Sequence, residues 1–361
     1  MTCATPSRAP FHGLMRPSLH DQHEALPSKA MPIPETQTAI VITKAGGPDV
    51  LEPKTVEVPQ PGSDQMLIRV SAAGINRHDV HQRVGGRHSD GTAVPGLEVC
   101  GIIVAVGAGV DQGRIGERVM ALVQGGGYGQ YVVANQQLVL PAPNTLSDIE
   151  AAGFPEAAFT TWWNFFHLMT CRKDSFALIH GGTSGVGHIA LQAMSALGYR
   201  VIATAGTETK VAAAKAFGAH DAFSYRDEDL AAKVMEATGG QGISSLLDVS
   251  AGANLKQDIQ MMAPDGQIAH LSGGGGADLA IPLRDIMAKR LCITGSLLRP
   301  LPLDRKAAVA EDLRRDVLPL LGSKVRPTIA ATFDLRDATK AHAAMEENAH
   351  IGKIILKVEH D

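Results

Sequence analysis

The stretch His180-Gly-Gly-Thr-Ser-Gly-Val-Gly187 puts four glycines and two hydroxyls between an apolar run, Phe176 to His180, and a helix-like run from Gly187. If the first run is a strand, the turn aims free backbone N–H groups and the positive end of a helix dipole at one point. That arrangement holds a pyrophosphate. Glycine is required there because a Cβ would block both the tight turn and the approach of phosphate oxygens. Gly182 and Gly187 occupy the outer positions of the dinucleotide fingerprint G-x-G-x-x-G, with Ser184 in the middle position, followed by Gly185 and Val186. The nucleophile elbow G-x-S-x-G would need a glycine at position 186, where this chain has Val186. Nucleotide binding is the expectation, against a plain structural loop.

The next strand separates the two nicotinamide cofactors. An NAD site usually ends this strand with an acid that bonds the ribose hydroxyls. Here Arg-Val-Ile-Ala-Thr-Ala-Gly-Thr-Glu-Thr-Lys offers Thr204, Gly206, Thr207 and Lys210, with Glu208 slightly late. Hydroxyls and a lysine suit a 2′-phosphate, and Tyr225–Arg226 after the third strand could close over it. NADPH is therefore expected, although Lys210 could simply open a solvated helix face. A second cluster, His78, Asp79, His81 and His88, invites a metal reading. A site needs at least three converging ligands, so no metal is expected there.

These residues need two kinds of scaffold. At 361 residues the chain suits two domains, and 45% hydrophobic with 19% charged residues gives it a substantial core. A net charge of −4 without a basic block argues against nucleic acid. No apolar run is long enough to span a bilayer. Four scattered cysteines, with no C-x-x-C pair, point to a reducing, cytoplasmic compartment. Residues 1–30 lack an apolar core of the secretory type; they read as a disordered tail, or as sequence upstream of a start near Met31, and only faintly as a transit peptide. Residues 31–152 carry short β-rich runs punctuated by Gly and Pro. From Gly153 strands alternate with alanine-rich helical segments, as in a doubly wound parallel sheet. Two helical stretches and a last strand, Lys353 to Val358, follow Pro302.

The segments AAGINRHDVHQR, PGLEVCGIIVAVG, GGGYGQYV, HGGTSGVG and IGKIIL resemble, in that order, the medium-chain dehydrogenases/reductases. FPEAAFTTWWNFFHL and ITGSLLR narrow the resemblance to zeta-crystallin-type quinone oxidoreductases, nearest the branch inducible by a tumour suppressor. The resemblance implies an α/β chain: a GroES-like, mostly-β catalytic domain (31–152, rejoined by 303–361) around a Rossmann domain (153–302). It implies NADPH between them, and homodimers paired through the edge strand near Leu291–Ser296. Zinc-bearing relatives place ligands where this chain has Asn76, Leu97 and, approximately, Glu156, so the resemblance implies no zinc. It assigns Asn76 to a quinone oxygen or to loop anchoring. It sends Thr160 toward the nicotinamide or to helix capping, and puts Arg87 where close relatives carry tyrosine. Arg87 would favour an anionic or strongly polar acceptor, or face solvent. Leu271, Gly273 and Lys353 are further cofactor positions, in part on the loop Ser272–Asp278. The aromatic cluster Phe159, Trp162, Trp163, Phe165 and Phe166 is expected in the core, or else in a flat substrate pocket. The expected reaction is reduction of quinones or conjugated carbonyls. The alternatives are an enoyl or alkenal double-bond reductase, with His78, His81 or Tyr128 as proton donor, and an NADPH sensor with little turnover.

Overall fold

A computed structural model of the chain describes residues 32–86, 93–249, 254–272 and 278–360. Arg87, His88, Gly273 and the N-terminal thirty residues, named above, lie outside them.

A two-stranded ribbon, β1 (Thr36–Ile42) with β2 (Leu51–Glu57), opens the chain. Five strands of a seven-stranded, mostly antiparallel sheet follow: β3 (Gln65–Gly74), β4 (Glu98–Val106), β5 (Arg118–Leu122), β6 (Tyr131–Asn135) and β7 (Val139–Pro141). Their β-branched residues alternate with Gly and Ala, and the apolar face closes over Ile68, Val70, Val99 and Val119. Between β3 and β4 runs α1 (Arg77–Gly85), whose start is fixed by the Asp79 carboxylate accepting from the Asn76 N–H at 2.8 Å.

Two helices lead across to the second sheet: α2 (Asp148–Ala152) and α3 (Pro155–Trp162), the latter continuing as a π-turn, Trp163–Leu168. Phe159, Trp162, Trp163 and Phe165 are buried there, and Phe166 packs on Trp162 and Tyr199, each at 5.1 Å. The aromatic cluster is thus core, and the substrate-pocket alternative for it is set aside.

The second sheet is wholly parallel. Its strands are β8 (Phe176–His180), β9 (Arg200–Ala205), β10 (Asp221–Ser224), β11 (Ile243–Asp248), β12 (Met262–His270) and β13 (Cys292–Gly295), in the order β10-β9-β8-β11-β12-β13. That order reverses between β8 and β11, which opens a crevice outside their carboxyl ends. The crossovers are α4 (Gly185–Ala196), α5 (Glu208–Ala216), α6 (Leu230–Ala237), α7 (Leu255–Met261) and α8 (Leu283–Lys289).

After α9 (Leu303–Asp316), the chain rejoins the first sheet with β14 (Ile329–Asp334), α10 (Ala338–Glu347) and β15 (Lys353–Lys357). β15 lies parallel to β14 and antiparallel to β3, with Ile355 opposite Gly74. This pairing brings Lys353, near the C-terminus, beside residues that precede it by almost the whole chain.

Candidate active site

The glycine turn sits at the switch point. Gly181 has φ +72°, a conformation that L-residues seldom adopt. Ser184 caps α4, its Oγ accepting from Gly187 N–H at 3.0 Å, and the first N–H groups of the helix, at Gly185 and Val186, precede any helical acceptor. A Cβ on Gly187 would strike the Gly181 carbonyl and come within 2.7 Å of the Gly182 backbone; one on Gly182 would meet Ala203 Cβ at 2.6 Å. The cradle therefore fits a pyrophosphate, and only with glycines at those positions.

At the end of β9 the structure rearranges the expected 2′-phosphate group. Thr204 is fully buried, and its hydroxyl lies 2.7 Å from His180 Nδ1. Successive strand residues face opposite sides of a sheet, and Thr204 points inward, so its hydroxyl is withdrawn from that role. Thr207 caps α5 by accepting from the Lys210 N–H at 3.3 Å, and Lys210 Nζ donates to the Asn348 carbonyl at 2.7 Å. A Cβ on Gly206 would come within 2.8 Å of Tyr225 Cζ, and the Arg226 guanidinium lies 5.8 Å from that ring. Gly206, Lys210, Tyr225 and Arg226 thus share one rim, and Glu208 lies inside α5 rather than at the strand end.

Opposite the turn lies a buried ionic network that the sequence resolved only in pieces. Lys353 Nζ donates to Glu98 Oε1 at 2.5 Å and to Asn76 Oδ1 at 2.7 Å, and Asn76 Nδ2 donates to the same Glu98 oxygen at 2.9 Å. Glu98 Oε2 accepts from the Glu156 backbone N–H at 2.9 Å. Lys353 also reaches the glycine turn: a Cβ on Gly185 would meet its Cδ at 2.9 Å. The Asn76 amide is bound inward through both its oxygen and its nitrogen, which favours the anchoring role over the quinone contact. Thr160 sits inside α3 and donates to Glu156 Oε1 at 3.0 Å, so helix capping is excluded for it. Asp79 accepts from the N–H groups of Asn76 and Gly96 and from Tyr128 Oη at 3.1 Å, while Tyr128 Oη is also 3.1 Å from His342 Nε2. Fully buried and doubly engaged, Tyr128 is withdrawn as a proton donor to the cleft.

Burial pushes the Glu156 carboxyl up to about 7, against the nearby Lys353 charge, and pushes Asp79 up to about 6, against its hydrogen bonds. Because the folded state holds the Glu156 proton more tightly than the unfolded chain, wild-type stability falls as pH rises from about 4.5 through about 7. Glu156→Gln should therefore match wild type below pH 4 and exceed it by ~2–3 kcal/mol at pH 8 in urea titrations. A constant difference across that range would contradict the protonation assignment.

At the carboxyl ends of β12 and β13 an open cleft of about 350 Å³ is lined by His270, Leu271, Ser272, Gly295, Ser296 and Leu297. Ser296 Oγ donates to Asn164 Oδ1 at 2.8 Å, and Asn164 Nδ2 donates to the Thr160 carbonyl at 2.8 Å, tying this cleft to α3. The sequence reading missed Glu98 and Asn164; a carboxylate inside the apolar Leu97-Glu-Val99 run was the available signal for the first. Among the described residues no group of His, Cys, Asp or Glu converges as a metal site, and no helix is long and apolar enough to cross a membrane.

Comparison with known proteins agrees with this geometry. Residues 62–144 match the alcohol dehydrogenase GroES-like domain, and residues 185–313 the zinc-binding dehydrogenase family. The chain is 31% identical to the quinone oxidoreductase of Sus scrofa, over 88% of this chain and 97% of that protein. It is 29% identical to a 2-haloacrylate reductase of a Burkholderia species, over 88% and 98% respectively. The crystal structure of Escherichia coli quinone oxidoreductase complexed with NADPH superposes with a TM-score of 0.78 at 25% identity, covering 89% of this chain and 99% of that one. The GroES-like and Rossmann architecture, the glycine cradle and these relatives together place the chain in the quinone oxidoreductase family of medium-chain dehydrogenases/reductases.

Proposed function

We propose that this protein transfers a hydride from NADPH to a quinone or related conjugated carbonyl, without zinc. The observation that carries the reading is the glycine cradle at the switch point of the parallel sheet. NADPH, when bound, supplies the hydride; the chain's residues bind, orient and exclude water.

Gly182, Ser184, Gly185, Val186 and Gly187 would hold the pyrophosphate. Gly206, Lys210, Tyr225 and Arg226 would hold the 2′-phosphate, where no acid ends β9 to repel it. Leu271 lines the cleft that would take the nicotinamide. The end of the Lys353 side chain lies against the turn at Gly185 while its ammonium holds Glu98 and Asn76, so one residue ties the glycine turn to the ionic network. Thr160 holds a proton against Glu156 next to that network. Arg87 stays with the acceptor in this reading, and Gly273 with the cofactor.

Zinc independence rests on the donor set. Leu97 has no ligating atom, the Asn76 amide is engaged, and the Lys353 ammonium already neutralises Glu98. Dimerisation through β13 is supported by its position at the sheet edge, next to exposed Ile281, Leu283, Met287 and Leu297. Buried free thiols at Cys100 and Cys171 suit a reducing cytoplasm.

The experiment is oxidation of NADPH and of NADH by purified protein, with chelator throughout, against ortho-quinones, para-quinones and 2-alkenals, and with mass read by sedimentation. Chelator-resistant, NADPH-preferring turnover of quinones by a dimer is expected. Turnover of alkenals alone would move the chain toward the double-bond reduction that the 2-haloacrylate reductase relative suggests. Loss of activity with chelator would overturn zinc independence. Silence with tight NADPH binding would make it a sensor.

A further inference from the structure

The segment between α10 and β15, residues 348–352, runs past the parts of the cofactor site in turn. At its start the Asn348 carbonyl accepts from Lys210 Nζ at 2.7 Å. At its end the Gly352 N–H donates to the Thr183 carbonyl of the glycine turn at 2.9 Å, and Lys353 follows on Glu98. Asn348 closes α10 in the left-handed conformation, φ +54°, which asparagine tolerates better than most residues with a Cβ. Its Oδ1 accepts from Nη2 of Arg77, the first residue of α1, at 3.4 Å. One asparagine thus carries a cation from the parallel-sheet part of the chain on its carbonyl, and a cation from the antiparallel part on its amide oxygen.

The two cations are short of negative charge. Burial lowers the pKa of both, with no carboxylate opposing it at Lys210 and only Glu346 opposing it at Arg77. Glu346 is itself committed, both of its oxygens accepting from Arg83, at 2.5 and 3.3 Å. His350, two residues beyond Asn348, is pushed down to about 4, first by burial and then by the charges of Lys210, Arg77 and Lys353. Lys353 is already neutralised on Glu98, so the uncompensated field comes from Lys210 and Arg77. Arg77 is exposed and Lys210 half-buried, which leaves both open to a ligand. Cations gathered from separate elements without an anion are stabilised by binding one. A phosphate monoester brings a charge of about −1.5 to −2 and three acceptor oxygens.

We propose that Arg77 is a specificity-determining residue for NADPH, gripping the 2′-phosphate together with Lys210 so that this phosphate bridges α1 and α5. The inference rests on the NADPH reading above, and it adds to the rim of Gly206, Lys210, Tyr225 and Arg226 a group from outside the parallel-sheet part of the chain. A guanidinium presents a planar fork that can meet two phosphate oxygens at once. Its bond to Asn348 is at the long limit for a hydrogen bond, so exchanging it for a charge-assisted one is favourable. NADH, which lacks this phosphate, leaves α1 and α5 joined only through Asn348. The choice between the two cofactors is therefore made by both parts of the chain.

The test is calorimetric titration of wild type, Arg77→Gln, Arg77→Lys, Lys210→Gln and Lys340→Gln with NADPH and with NADH. Lys340 on α10 is exposed and paired with Asp337 at 2.9 Å, so its variant removes the same charge away from the site. Wild type is expected to bind NADPH more tightly than NADH. Arg77→Gln should lower NADPH affinity ~30-fold and hold NADH within about twofold, with Arg77→Lys falling between it and wild type. Lys340→Gln should change neither cofactor by more than about twofold. Equal losses for both cofactors in Arg77→Gln would make Arg77 a scaffold residue and overturn the proposal. So would a loss that Lys340→Gln reproduces, or an NADPH affinity that falls in Lys210→Gln but not in Arg77→Gln. A wild type that binds the two cofactors equally would remove the NADPH reading itself, and this inference with it.

Discussion

Replacing Lys353 by methionine is expected to lower folding stability by about 3–5 kcal/mol, the largest single-residue effect anticipated for this chain. The Lys353 ammonium is the cation against Glu98 Oε1, and both side chains are almost wholly inaccessible to water. Methionine keeps most of the apolar stem but leaves the Glu98 carboxylate buried with only the Asn76 amide and the Glu156 N–H as donors. An uncompensated charge in that position either forces local opening or takes up a proton, and each costs stability. The double variant Lys353→Met/Glu98→Gln should recover more than half of the loss, because the penalty belongs to the stranded charge and not to the missing contact. Urea unfolding of the four members of that cycle measures it. Additive losses would mean that Lys353 acts through packing alone. NADPH affinity should fall as well, since the Lys353 stem packs against the turn at Gly185.

Gly187→Ala should weaken NADPH binding by ~100-fold. The added Cβ would run into the carbonyl of Gly181 and the backbone of Gly182, neither of which can rotate away as a side chain would. Relief requires α4 to shift off β8, and overpacking of this kind costs ~3 kcal/mol, or two decades in affinity. The control is Gly85→Ala in α1, where a Cβ meets nothing within 4 Å and helix propensity improves. Fluorescence titration with NADPH should separate the two variants cleanly. Equal affinities would contradict the close-packed cradle.

The sequence by itself determined the glycine cradle, the alternation of strands and helices after Gly153, and the expectation of NADPH. These signals are local: a turn that excludes Cβ atoms and a strand end without an acid can be read from neighbouring residues, because backbone geometry and dipoles act within one turn. Thr204 illustrates the limit. Its chemistry was legible, but which face of β9 it occupies depends on the register against His180, and register is a property of two strands.

Only the tertiary structure decided the ionic network and the pairs His180–Asp258, at 2.8 Å, and His270–Asp248, at 3.1 Å. Asn76 and Lys353 are separated by 277 positions, and they meet because β15 pairs back onto β3. Buried charges are tolerated only where partners converge from several elements, and that convergence has no periodicity for a sequence to display. His180, Asp248, Asp258 and His270 are scattered through four elements of the chain. The reversal of strand order at the switch point sets β8 against β11 and so brings the four together.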